Sequence, residues 1–152
     1  MLAFLKKAKT PLLPLHINEA IVEAIKQAEL LTSGEIRVFI ESKCRFLDPL
    51  NRAKEVFTTL KMDKTENKNG VLIYLAIKDK QMAIYGDEGI HEKLGYTFWK
   101  NELSKMQNDF RNNNMSSGLV QIILEVGNAL KTHFPYHNED KNELPDAIVF
   151  GK

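Results

Sequence analysis

NGVLIYLAIKDKQMAIYGDEGI, running from Asn69 to Ile90, is the stretch on which the fold turns. Val71 to Ile77 are apolar without a break. A run of that length fits a strand buried on both faces, because the alternation of a half-wet strand disappears when both sides need apolar cover. Lys78, Asp79 and Lys80 turn the chain, and Met82 and Ile84 then alternate with Gln81, Ala83 and Tyr85, as in a shorter strand nearer the sheet edge. Gly86-Asp87-Glu88-Gly89 closes the hairpin as a polar loop flanked by glycines, and it is the leading candidate for a functional site.

Upstream, Ile17, Ile21, Ala24, Ile25, Ala28 and Leu31 recur at helical spacing. Asn18 is placed to cap this first helix, Ile17 and Val22 to staple it, and Gly34 to stop it. Glu35 to Glu41 then alternates as a strand, with Ile36, Val38 and Ile40 on one face. Asp48-Pro49 is a helix start: a side-chain oxygen to accept from the first turn, then a residue whose missing N–H and fixed φ suit that position. Ala53, Val56, Phe57 and Leu60 follow on one face, so the second helix is a crossover that makes the Ile36–Ile40 and Val71–Ile77 strands parallel. Lys61 to Asn69 reads as a polar, mobile connection.

Downstream, His91 to Leu94 suit a single turn before Gly95, and Thr97 is placed to cap a helix carrying Trp99, Leu103, Met106 and Phe110 in one row. Asn112 to Asn114 end it. Ser116 or Ser117 opens a last helix with Leu119, Ile123, Val126 and Leu130 on its apolar side, stopped by Pro135. Ala147-Ile148-Val149-Phe150, in the tail, suits docking or an edge strand. The expected organisation is a leader over 1–15, one domain over 16–135 and a polar tail over 136–152. The expected fold is α/β: a three-layer α/β/α sandwich around a small mixed sheet.

A chain of 152 residues can bury a real core without metals or disulfides. Its net charge of +1 gives no electrostatic case for nucleic acid or an anionic membrane. The lone Cys44 cannot pair internally and reads as a small apolar filler. Pro11 and Pro14 interrupt the leucines of the leader, so no signal core forms there, and no stretch approaches the roughly 18 apolar residues of a membrane span. A cytoplasmic monomer is the default expectation.

Most catalytic signatures are excluded by inspection. A phosphate-cradling cysteine loop needs an arginine six positions after Cys44, where Leu50 stands, and the phosphate, dinucleotide and serine-hydrolase glycine motifs are all missing. His133 and His137 have the spacing of a helical metal pair, but Pro135 lies between them and no HExxH pattern surrounds them. One set of polar groups is gathered by the topology. With the first two strands parallel and the third antiparallel, Glu35, Asn69, Asp87 and Glu88 fall at one end of the sheet, as oxygen ligands of the hard kind that Ca2+ or Mg2+ takes. The bland alternative is that these are solvated strand ends, since acidic residues beside glycine also make turns. Asp79 and Cys44 fall at the opposite end, where open parallel sheets usually bind ligands.

Thr32-Ser33-Gly34-Glu35-Ile36-Arg37-Val38, Asn69-Gly70-Val71-Leu72-Ile73, Lys78-Asp79-Lys80, Gly86-Asp87-Glu88-Gly89-Ile90, and Phe110 leading to Ser117-Gly118-Leu119 together resemble the TPM domain family, over about Ile17 to Phe134. Asn142-Glu143-Leu144-Pro145 is similar to the tail of its short cytoplasmic bacterial branch. The resemblance implies an α/β/α sandwich and acid phosphatase activity, with divalent-ion binding in some members. Two functions follow as expectations. One is a metal-assisted phosphomonoester hydrolase. The other is a non-catalytic module docking on a partner protein or membrane complex through exposed aromatic residues such as Tyr96, Phe98 or Phe150.

Overall fold

The computed structural model describes residues 12–136 and 148–151. Its sheet has four strands, β1 (Glu35–Glu41), β2 (Gly70–Ala76), β3 (Gln81–Gly86) and β4 (Ile148–Phe150), in the order β3-β2-β1-β4. β1 is parallel to β2 and to β4, and β2 is antiparallel to β3. Every residue of β2 is buried, as its unbroken apolar run requires. The short apolar tail segment forms one edge strand, and residues 1–11, 137–147 and 152, most of the leader and of the tail, lie outside the described residues.

Five helices cover the sheet: α1 (Leu15–Glu29), α2 (Pro49–Thr59), α3 (Glu88–Leu94), α4 (Tyr96–Arg111) and α5 (Met115–His133). Alternation along the strands divides the core. Ile36, Val38, Ile40, Val71, Ile73 and Leu75 face α1, α4 and α5 with Ile25, Trp99, Ile123 and Leu130. Phe39, Leu72, Tyr74 and Ala83 face α2 with Val56 and Phe57, and half-buried Cys44 packs there too. The result is the expected three layers around a mixed sheet.

Several helix ends differ from the sequence reading. α1 begins at Leu15, where Pro14 fixes the backbone and its carbonyl accepts from Ile17 N and Asn18 N at 3.1 Å each. Asn18 therefore lies inside the helix rather than capping it, and the helix ends at Glu29, before Gly34 is reached. The α2 start holds as read, with Asp48 Oδ1 accepting from Leu50 N at 2.9 Å. Gly95 at φ 79, not Thr97, precedes α4, and Asn114 precedes α5. The 61–69 connection is structured: Met62–Lys64 form a 3-10 turn, and Met62 and Thr65 are buried.

The apolar row of α4 conceals one carboxylate. Glu102 is buried against α5, where Lys105 Nζ donates to Glu102 Oε2 (3.2 Å) and to Glu125 Oε1 (3.1 Å). Burial, and then the neighbouring Glu125, push its carboxyl up to about 7, with Lys105 opposing. The folded protein thus holds a proton there that the unfolded chain releases near 4.5. Stability from this group is full below that value and is lost as pH rises through about 7. Glu102→Gln is expected to flatten the decline in melting temperature between pH 5 and 8 and to stabilise the fold at pH 8 by on the order of 1–2 kcal/mol. Parallel melting curves of the two proteins check it, and an unchanged pH profile would contradict it.

Candidate functional site

The ends of three strands meet where β1 and β2 begin and β3 finishes. Glu35 is in register with Gly70, and Val71 with Gly86. Asp87 N then donates to Gly70 O at 2.9 Å, which ties the start of α3 to the start of β2. Glu35, Asn69, Asp87 and Glu88 are therefore all carried to one end of the sheet.

Gly86 to Gly89 is not a free loop but the entry to a helix. Asp87 is its cap, with Oδ1 accepting from Glu88 N at 2.8 Å. Gly86 is needed because the Trp99 ring lies on it; a Cβ there would stand 2.7 Å from Cη2 of the indole. Gly89 admits the 61–69 connection. A Cβ at Gly89 would lie 2.6 Å from Lys68 O, and Ile90 N donates to that same carbonyl at 3.2 Å. The connection is thereby docked on α3 and brings Asp63 and Thr65 to this end.

The polar groups here are unusual in what they lack. Among the described residues, eight buried side-chain nitrogen or oxygen atoms have no hydrogen-bond partner, and four of them are Asp63 Oδ1, Thr65 Oγ1, Asn69 Oδ1 and Asp87 Oδ2. The others belong to Asn18, Arg37 and Glu102. Asn69 spends its amide nitrogen on Ser33 Oγ at 3.3 Å. Burial raises the carboxyl of Asp87; the bond from Glu88 N and the Lys68 charge pull it back, and the charges of Glu88 and Asp63 raise it further. Tyr85, beside it, is pushed up by burial and then by Asp87 and Glu88.

The opposite end presents a contrast. There Arg52 Nε and Nη2 each donate to Glu41 at 2.9 Å, the Tyr74 hydroxyl donates to Glu41, and Cys44 N donates to Asp79 Oδ2 at 2.8 Å. Those polar groups satisfy one another. The topology that usually marks a ligand end is here filled by the protein's own side chains.

The two acidic strand ends do not form a cage of carboxylates. Among the described residues, no three His, Cys, Asp or Glu side chains converge as a metal-holding group. Glu35 is buried in β1, where its charge acts on Arg37. The donors of this end are instead mixed, carboxylate with amide and hydroxyl oxygens, which suits Ca2+ or Mg2+ better than softer ions. Asp63 and Thr65 escaped the sequence reading because the 61–69 stretch is polar and unpatterned. Met62, a large apolar side chain within it, was the available sign that the stretch is anchored.

Comparison with known proteins identifies the family. The TPM domain model matches residues 11–129. The chain belongs to the TPM domain family. Among solved structures, this TPM domain is similar to the BA42 protein of the psychrophilic bacterium Bizionia argentinensis, with 43% identity and a TM-score of 0.84 over 93% of this chain and 97% of that one. Two more distant domains share the fold. The N-terminal domain of a protein from P. gingivalis is 19% identical with a TM-score of 0.64, over 84% of this chain and 83% of that one. An N-terminal domain from Corynebacterium glutamicum is 13% identical with a TM-score of 0.62, over 78% and 74%. No curated protein matches the chain. No helix among the described residues of this TPM domain is long and apolar enough to cross a membrane.

Proposed function

We propose that this TPM domain holds a hard divalent cation, Ca2+ or Mg2+, where β1 and β2 begin and β3 ends, and hydrolyses phosphomonoesters there. The observation that carries the reading is the set of partnerless buried oxygens on Asp63, Thr65, Asn69 and Asp87. Each such oxygen costs about 1–3 kcal/mol when left unpaired, and a cation that takes them as ligands removes that cost. Asp63, Thr65, Asn69 and Asp87 would hold the ion, with Glu88 and Glu35 adding negative charge at the same end. When bound, the ion supplies Lewis acidity for a phosphoryl oxygen and a lowered pKa for water. The hydrolysis forms a bond from water oxygen to phosphorus, breaks the ester P–O bond and leaves the water proton on the departing alcohol. The implied acid phosphatase activity of TPM proteins supports the reading. A second reading, a cation-dependent docking module, is favoured by Tyr96, which is 76% exposed and meets the ring of His91 on α3.

Isothermal titration with calcium and with magnesium, paired with a phosphomonoesterase assay, tests both. Asp87→Asn keeps nearly the same shape and removes a full charge, so affinity is expected to fall about 10-fold or more. Asp79→Asn, at the far end, is expected to leave affinity unchanged. Protons compete for the same oxygens, and because Asp87 is raised, binding is expected to fade before pH falls to the usual carboxylate range. Equal loss in both variants would overturn the site, and binding without hydrolysis would leave the docking module.

A further inference from the structure

Lys68 stands beside the proposed cation site in a way that cation binding alone does not explain. Its charge acts on Asp87 and favours the ionised carboxylate. Its backbone is left-handed at φ 52, a conformation that costs a non-glycine residue of order 1 kcal/mol and persists only where the surroundings impose it. Three hydrogen bonds impose it: Lys68 N donates to Thr65 O (3.5 Å), Lys68 O accepts from Ile90 N (3.2 Å), and Lys68 Nζ donates to Asp63 O (2.7 Å). The ammonium is held by a main-chain carbonyl. Neighbouring Lys64, by contrast, reaches the Asp63 carboxylate, at 4.0 Å from Oδ2. The side chain is exposed, so a ligand can reach it.

A fixed, accessible positive charge next to a cation site repels the ion that the site takes. The arrangement becomes favourable once an anion lies between the two charges. We infer that Lys68 is the specificity-determining residue of this site: its ammonium takes one oxygen of a dianionic phosphoryl group whose other oxygens face the cation held by Asp87 and its neighbours. The inference rests on the proposed cation site and deepens it by naming the residue that takes the phosphoryl dianion. Lysine suits that role as a compact point charge with rotatable donors.

The test uses the full chain and methylphosphonate, a phosphoryl dianion analogue that is not hydrolysed. Magnesium or calcium is titrated first, and methylphosphonate is then added at saturating cation and followed by 31P and amide chemical shifts. Lys68→Met is expected to keep or tighten cation binding, which also shows that the fold and site survive, while methylphosphonate affinity falls about 10- to 100-fold. Lys68→Arg is expected to restore most of that affinity. Equal methylphosphonate binding by the wild type and Lys68→Met, or no binding to the cation-loaded wild type, would overturn the inference and leave the cation site standing. Failure of the wild type to take up cation in the first titration would overturn the proposed function and this inference with it.

Discussion

Replacing Trp99 with alanine is expected to cost about 3–5 kcal/mol of unfolding free energy, the range of large aromatic truncations in a packed core. The indole is buried in the layer made by α1, α4 and α5, lies on the Cα of Gly86 and meets Phe98 edge-on at 5.1 Å between centroids. Its Nε1 donates to His91 Nδ1 at 3.1 Å, so the same ring that fills the core also fixes α3. Truncation opens a cavity and releases the helix that Asp87 caps. Chemical denaturation checks the magnitude, and a loss below about 1 kcal/mol would contradict the packing described.

Gly89→Ala is expected to act on the site and on stability together. The new Cβ would stand 2.6 Å from Lys68 O and closer still to Asn67 O, both main-chain atoms that cannot move aside as a flexible side chain does. Overpacking of this kind costs about 1–3 kcal/mol, and separation of the 61–69 connection from α3 removes Asp63 and Thr65 from the site. Cation affinity is therefore expected to fall along with the melting temperature. Gly95→Ala is the control. Its φ of 79 makes the substitution strained, but nothing lies within 4 Å of the new Cβ, so the protein is destabilised with cation affinity retained. Equal affinity in wild type and Gly89→Ala would show that the connection does not contribute ligands.

The sheet was legible because its signal is an extreme one. An unbroken Val71–Ile77 run can be satisfied only by cover on both faces, and Asp48-Pro49 marks a crossover helix whose presence forces β1 and β2 parallel. The position of Asp87 at this end of the sheet was legible for a weaker reason, its place just after β3. The helix starts were misread where two signals compete. Asn18 has capping chemistry, yet Pro14, about one helical turn earlier, sets the backbone and the helix follows it. Asp87 looked like a loop residue because glycines flank it, whereas those glycines serve close contacts with Trp99 and the 61–69 connection. Such contacts between segments distant in sequence leave no periodicity to read. For the same reason neither Lys68 nor the buried Glu102 announces itself: one depends on a docked loop, the other interrupts an otherwise regular apolar row.

The central claim, that the partnerless oxygens at the start of β1 and β2 take a hard cation, is tested most directly by an amide-resolved NMR titration of the chain with calcium. Saturable shifts are expected at Asp63, Thr65, Asn69, Gly70 and Asp87 to Gly89, with Cys44 and Lys78 to Lys80 unmoved. Shifts confined to the Glu41, Cys44 and Asp79 end, or none that saturate, would contradict it.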